Sequence, residues 1–213
     1  MKFNPEGPFF EFMNTLAAFI GLNVIFLITC LPVFTIGPSL TALYTVTLQE
    51  SRKEGGYVFS TYFKAFKKNF PQSAAAFLMQ LALGFIFLFN IVFWGKQNTV
   101  LGNAILLVIT LLVILLVFSF LYTFPLMARF QNSLKQTLKN SVAIAVSNPR
   151  TTLPLLGIQA IFALACAAIP QAKVFMVLVG FSFVAYCNSL VLTKLFTSYE
   201  ASEPSETSIS DCM

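Results

Sequence analysis

Five long apolar segments alternate with shorter polar segments along this chain. A membrane-spanning helix needs about 20 mostly apolar residues, because the hydrocarbon core of a bilayer is about 30 Å thick. The segments meet that length and carry no charged residue in their interiors; they are residues 12–36, 73–94, 100–124, 151–169 and 173–196. The pattern predicts an all-α, polytopic membrane helix bundle with five transmembrane helices.

Two of the polar segments have the pattern of amphipathic helices. In the first, aromatic residues recur at helical spacing opposite Lys64, Lys67 and Lys68. In the second, a narrower apolar stripe is bordered by Lys135 and Lys139. A basic face opposite an apolar one is typical of a helix at a membrane interface. We therefore expect two cytoplasmic amphipathic helices, which either pack under the bundle or dock a partner or anionic lipid through these lysines.

The amphipathic segments begin two units with the same plan. Residues 57–124 and 127–196 each contain a basic amphipathic helix, a proline and two spans joined by a short turn. With the leading helix 12–36, these units form one predicted transmembrane domain, residues 1–197. The remainder, 198–213, is rich in Ser, Glu and Pro and is predicted to be a disordered acidic tail. Duplicated units occur in transporters, but also in membrane proteins that transport nothing.

Basic residues are distributed unevenly between the two sides of the predicted bundle. Ten of the 13 Lys and Arg fall on one side, and the three on the other are Lys2, Lys96 and Lys173. Cytoplasmic loops carry an excess of Lys and Arg, so we expect the N-terminus outside and the C-terminus in the cytoplasm. One alternative stays open: if residues 36–48 return into the bilayer as a hairpin, the N-terminus moves inside.

Pro32, Gly37 and Pro38 cluster near the inner end of the first predicted span. Proline and glycine interrupt helices and free backbone groups that need other partners, which Thr35 and Ser39 can supply. These residues predict a structural elbow that turns the chain onto the inner surface. The alternative is that these residues form a hinge or a binding element.

Composition limits the chemistry that this chain can perform. Apolar residues make up 57% and charged residues 10% of the chain, whereas soluble domains have about 25% charged residues. His is absent, the four Cys lack metal-site spacing, and no nucleotide-binding or metalloprotease motif occurs. We expect no enzymatic activity, no catalytic residue, no cofactor or metal site and no nucleic-acid partner.

Neutral polar side chains at membrane depth are the remaining candidates. Asn23, Gln80, Asn90 and Asn188 can each hydrogen-bond a neighbouring helix. The alternative is that they line a polar cavity for a small solute. Ion-coupled transporters place charged side chains inside the bundle, and these spans have none, which argues against ion coupling.

Several short stretches form a recognisable set: Leu22-Asn23, Leu31-Pro32, Thr35-Ile36-Gly37-Pro38, Thr41-Ala42-Leu43-Tyr44, the run from Tyr62 to Phe70, Pro125-Leu126 and Arg129-Phe130. In these residues the chain resembles the YesL-like family of uncharacterised bacterial membrane proteins, from about Phe9 to Phe196. The resemblance implies a plasma-membrane location and an association with carbohydrate-uptake genes. It implies no known activity.

Two functions are consistent with these patterns. The first is an accessory or scaffold protein linked to carbohydrate uptake, which contacts the lipid bilayer and another membrane protein such as a sugar permease. The second is a small-solute transporter or permease without ion coupling.

Overall fold

A computed structural model of the chain describes residues 8–54, 56–97 and 99–202. The regular elements in these residues are all helices, which confirms the predicted all-α class. They are α1 (Pro8–Thr29), α2 (Ile36–Ser51), α3 (Val58–Gly95), α4 (Val100–Arg129), α5 (Leu134–Ser147), α6 (Pro149–Ala168), α7 (Pro170–Phe175) and α8 (Phe181–Ser202). A 3-10 turn, Val33–Thr35, precedes α2, and a π-helical turn, Met176–Gly180, joins α7 to α8. The predicted acidic tail lies outside the described residues from position 203 onwards.

Four helices are long and apolar enough to cross a membrane, so the protein has the architecture of a multi-pass membrane protein. They are α3, α4, α6 and the continuous helix Lys173–Ser198, which includes the π-helical turn. The predicted fifth span, 12–36, is not confirmed. Within α1, the segment Thr15–Thr29 is a shorter apolar helix than the four above.

Helix α2 occupies the centre of the bundle. Ten of its 16 residues are buried, and it packs against α1, α3, α4 and α8. Gly37 allows its closest approach, because a β-carbon there would lie 2.8 Å from Phe77 Cβ and would meet the carbonyl oxygen of Ser73. Helix α2 is therefore enclosed by other helices of the bundle.

The break between α1 and α2 consists of residues 30–35. Helix α1 ends at Thr29, and Pro32 stands in the turn that follows. Gly37 and Pro38 instead belong to the first turn of α2, where the missing N–H of proline has no helical acceptor to lose. As expected, Thr35 satisfies freed backbone groups, since its hydroxyl donates to the carbonyls of Thr29 and Pro32 at 2.6 Å each.

Two ring contacts set the direction of α1 relative to α8. The ring centroids of Phe19 and Tyr186 are 5.3 Å apart, and those of Phe26 and Phe181 are 5.6 Å apart. The residue number therefore rises along α1 as it falls along α8. The two helices are antiparallel, and the N-terminal end of α1 lies beside the C-terminal part of α8.

Helix α2, in contrast, runs parallel to α8. Thr47 and Ser189 share a hydrogen bond of 2.8 Å, and Ser51 and Thr193 share one of 2.7 Å. Helices α1 and α2 thus form an antiparallel hairpin, and the start of α1 lies at the same end of the bundle as the end of α8. This is the register of the hairpin alternative for residues 36–48.

The two predicted units differ in their helices. In the first, the amphipathic segment and the following span form one continuous helix, α3, with Pro71 in its interior. In the second, α5 and α6 are separate, and Pro149 begins α6, where its missing N–H costs little. The proline of the second unit therefore begins a helix, whereas the proline of the first unit removes one backbone hydrogen bond from the interior of a helix.

Candidate functional site

The structure gathers basic residues at one end of the bundle, which we call the basic end. It is defined by the C-terminal ends of α2 and α4 and the N-terminal end of α3. These ends meet because α2 and α4 each run antiparallel to α3. Gly37 lies near Ser73, while Gln49 lines a cavity with Lys64. Phe77 packs on Phe124, while Gly84 lies near Leu116. Lys96, in the turn after α3, marks the opposite end.

The five lysines predicted to dock a partner are all exposed. Lys64, Lys67 and Lys68 lie on the first half of α3, and Lys135 and Lys139 lie on α5. Two of them, Lys64 and Lys68, line a common cavity. The third basic residue of that cavity is Arg129, which the sequence-based prediction missed.

The most deeply buried face of α5 consists of small and polar residues. Its buried residues are Thr137, Ser141 and Ala145, spaced four apart. Ser133 begins the helix, with its hydroxyl accepting from the N–H of Gln136 at 3.4 Å. Burial of this small and polar face leaves the lysines of α5 in the exposed half of the helix.

Asn23 is one of the four candidates for a polar cavity, and it has no exposed surface. Its amide donates to the carbonyl oxygens of Met176 at 3.3 Å and Val177 at 2.6 Å, and its Oδ1 accepts from the N–H of Ser182 at 3.1 Å. A π-helical turn disrupts the regular i→i−4 pattern of hydrogen bonds. Asn23 therefore joins α1 to the backbone of this turn and of the start of α8.

Gln80 belongs to a polar cluster between α3, α4 and α5. Its Nε2 donates to the hydroxyls of Ser119 at 3.0 Å and Thr123 at 3.1 Å, and Ser141 is 3.1 Å from Ser119. The sequence contained a signal for this cluster, because Ser119 and Thr123 are four residues apart and share one helical face. Ser141, which α5 contributes to the cluster, could not be predicted from the spacing of residues on α4.

Asn188 and Asn90 lie in different surroundings. Asn188 is fully buried and donates to the Tyr44 hydroxyl at 3.0 Å, which links α8 to α2. Asn90 donates to the Ile86 carbonyl of its own helix at 2.8 Å. The four cavity candidates thus make three separate contacts between helices and one contact within a helix.

Two buried amide oxygens remain without a hydrogen-bond donor in the described part of the chain: Gln80 Oε1 and Asn188 Oδ1. A buried acceptor without a partner costs about 1–3 kcal/mol. They belong to different helix contacts, so they do not together form one polar site.

Comparisons with known proteins place the chain in a family. Residues 19–91 match the family model described as "Protein of unknown function, DUF624". The chain is 30% identical over 195 residues to the uncharacterized protein YesL of Bacillus subtilis (strain 168), and the alignment covers 90% of this chain and 88% of YesL. No solved structure matches the chain significantly. The chain therefore belongs to the YesL-like family, whose function is unknown.

Proposed function

We propose that this protein is an accessory or scaffold component of a carbohydrate-uptake system and contacts another membrane protein through its basic end. One observation carries the proposal. The lysines of α3 and α5 are exposed, while Asn23 and Asn188, the polar groups best placed for a solute path, are fully buried in contacts between helices. The protein thus has an accessible charged surface, while these two polar side chains are enclosed in contacts between helices.

The burial of these polar side chains favours a scaffold function over a permease function for this conformation. Side chains that line a water-filled path keep some surface exposed to it. Asn23 and Asn188 expose 0% of theirs, and Gln80 exposes 4%. Their hydrogen bonds instead hold helices together, which is the usual role of neutral polar residues in membrane bundles.

The proposed setting is the plasma membrane, with the basic end in the cytoplasm, because Lys and Arg accumulate on the cytoplasmic side. In that orientation the C-terminus is cytoplasmic. The antiparallel register of α1 and α8 supports a cytoplasmic N-terminus as well, with α1 and α2 forming a hairpin instead of a fifth span. The tip of this hairpin is apolar, and its Leu31 is 80% exposed, as expected for a tip in contact with lipid.

The link to carbohydrate uptake rests on the YesL-like family, through the gene association that the resemblance implies. The partner that this association favours is a sugar permease. The proposal includes no catalytic reaction, no cofactor and no nucleic-acid partner.

Affinity purification from the protein's own cells, in a mild detergent, tests the proposal. The tagged wild-type protein should retain a carbohydrate permease, quantified by mass spectrometry. The variant Lys64→Gln/Lys67→Gln/Lys68→Gln should lose most of it while remaining in the membrane. The control Lys96→Gln, at the opposite end, should retain it. Equal recovery with the triple variant and the wild type would contradict the docking role.

A second function, transport of a small neutral solute, is favoured by the unpartnered oxygens of Gln80 and Asn188. Such acceptors become satisfied if a conformational change presents them to a hydroxyl-bearing solute. Asn188→Leu should then abolish uptake of that solute in cells while the protein level is maintained. Full uptake in this variant would count against a transport site at Asn188.

A further inference from the structure

A cavity of about 300 Å³ opens at the basic end between α2, α3 and α4. Lys64 and Lys68 line it from α3, and Arg129, the last residue of α4, lines it from the opposite wall. Thr45 and Gln49 of α2 form part of a third wall. Three cationic side chains from two helices therefore share one concave site.

The like charges of Lys64 and Lys68 repel each other, whereas Arg129 has an interaction partner of its own. Lys64 and Lys68 are four residues apart on one helix, where like charges repel each other by about 0.2–0.5 kcal/mol. No carboxylate lines the cavity. Among the described residues, neither lysine forms an ion pair, and Glu54 at the same end is paired with Arg52 at 2.9 Å.

The groups in the cavity match a phosphate ester in chemistry and size. Arginine presents a planar fork of N–H donors to phosphate oxygens, and lysine acts as a compact point charge. Gln49 and Asn69 add neutral donors for the rest of the ligand. A volume of about 300 Å³ is at the lower end of the range for small-ligand sites.

We propose that this cavity binds one phosphate-ester anion between Lys64, Lys68 and Arg129. The ligand has two sources: the headgroup of an anionic lipid, whose acyl chains would follow the apolar helices, or a soluble phosphate ester. The site is independent of the accessory function, because it needs no protein partner.

Purified full-length protein in dodecyl maltoside provides the test. In one arm, native mass spectrometry counts bound dioleoylphosphatidylglycerol, with dioleoylphosphatidylcholine as the zwitterionic comparison. In the other arm, isothermal titration calorimetry measures binding of glycerol 3-phosphate. Saturable binding of one molecule in either arm supports the site and identifies the source of its ligand.

Substitutions at exposed positions locate the binding. Lys64→Gln/Lys68→Gln should weaken the affinity by about tenfold to a hundredfold, since hydrogen bonds to charged groups are lost. Lys67→Gln/Lys139→Gln removes the same charge outside the cavity and should change the affinity by less than about threefold, through long-range electrostatics alone.

Two results would overturn the proposal. One is the absence of saturable binding in both arms. The other is an equal loss of affinity in the two double variants, which would assign binding to the overall charge of the basic end and not to the cavity. Both double variants change exposed side chains, so each is expected to fold, and the thermal unfolding midpoint without ligand checks this.

Discussion

Gly37 lies against the carbonyl oxygen of Ser73, so that α2 and α3 meet at their backbones. Small residues permit such close approach between membrane helices. Gly37→Ala should lower the free energy of unfolding by about 1–3 kcal/mol, because the new methyl group meets backbone that cannot move aside. Thermal unfolding in detergent measures the effect. Gly157→Ala is the control, since nothing lies within 4 Å of its β-carbon position; equal midpoints for the two variants would contradict the packing of α2 on α3.

Asn23 should contribute to stability far more than Asn90 does. Asn23→Leu removes the contact of α1 with the carbonyls of Met176 and Val177, and leaving buried acceptors unpaired costs about 1–3 kcal/mol. Asn90 bonds only the Ile86 carbonyl of its own helix, so Asn90→Leu should stay within about 0.5 kcal/mol of the wild type.

Hydrogen exchange distinguishes these two variants further. Faster exchange confined to the segment 176–182 is expected for Asn23→Leu, because this side chain holds the π-helical turn. If both asparagine variants unfold at the wild-type temperature, Asn23 does not hold that turn.

The position of the N-terminus can be tested independently of any function. Helix α1 is antiparallel to α8, so short epitope tags on the two termini should both be protected from protease in intact cells. Both should become accessible once the cells are permeabilised. Cleavage of the N-terminal tag in intact cells would instead support α1 as a fifth span with an outside N-terminus.

Patterns that depend on one helix alone were predicted well. The predicted span 100–124 lies within α4 (Val100–Arg129) because its long apolar run leaves no other stable conformation in lipid. Pro71 shows the limit of such patterns. It follows the first amphipathic segment as Pro149 follows the second, but Pro149 begins a helix whereas α3 continues through Pro71, since contacts with neighbouring helices outweigh the loss of one backbone hydrogen bond.

Features that depend on which helices pack together were not predictable. Arg129 joins Lys64 and Lys68 in one cavity only because α3 and α4 end side by side. The link between Asn188 and Tyr44 likewise needs α8 to run parallel to α2. Residue spacing within one segment contains no information on such a register.

Site-specific photocrosslinking in the protein's own cells tests the proposed docking surface most directly. A benzoylphenylalanine replaces Phe63, which is exposed beside the lysines of α3, or Val100, which is exposed at the opposite end. The account predicts that a carbohydrate permease is captured from position 63 and not from position 100. Capture of no membrane protein from position 63, or of the same proteins from both positions, would contradict docking through the basic end.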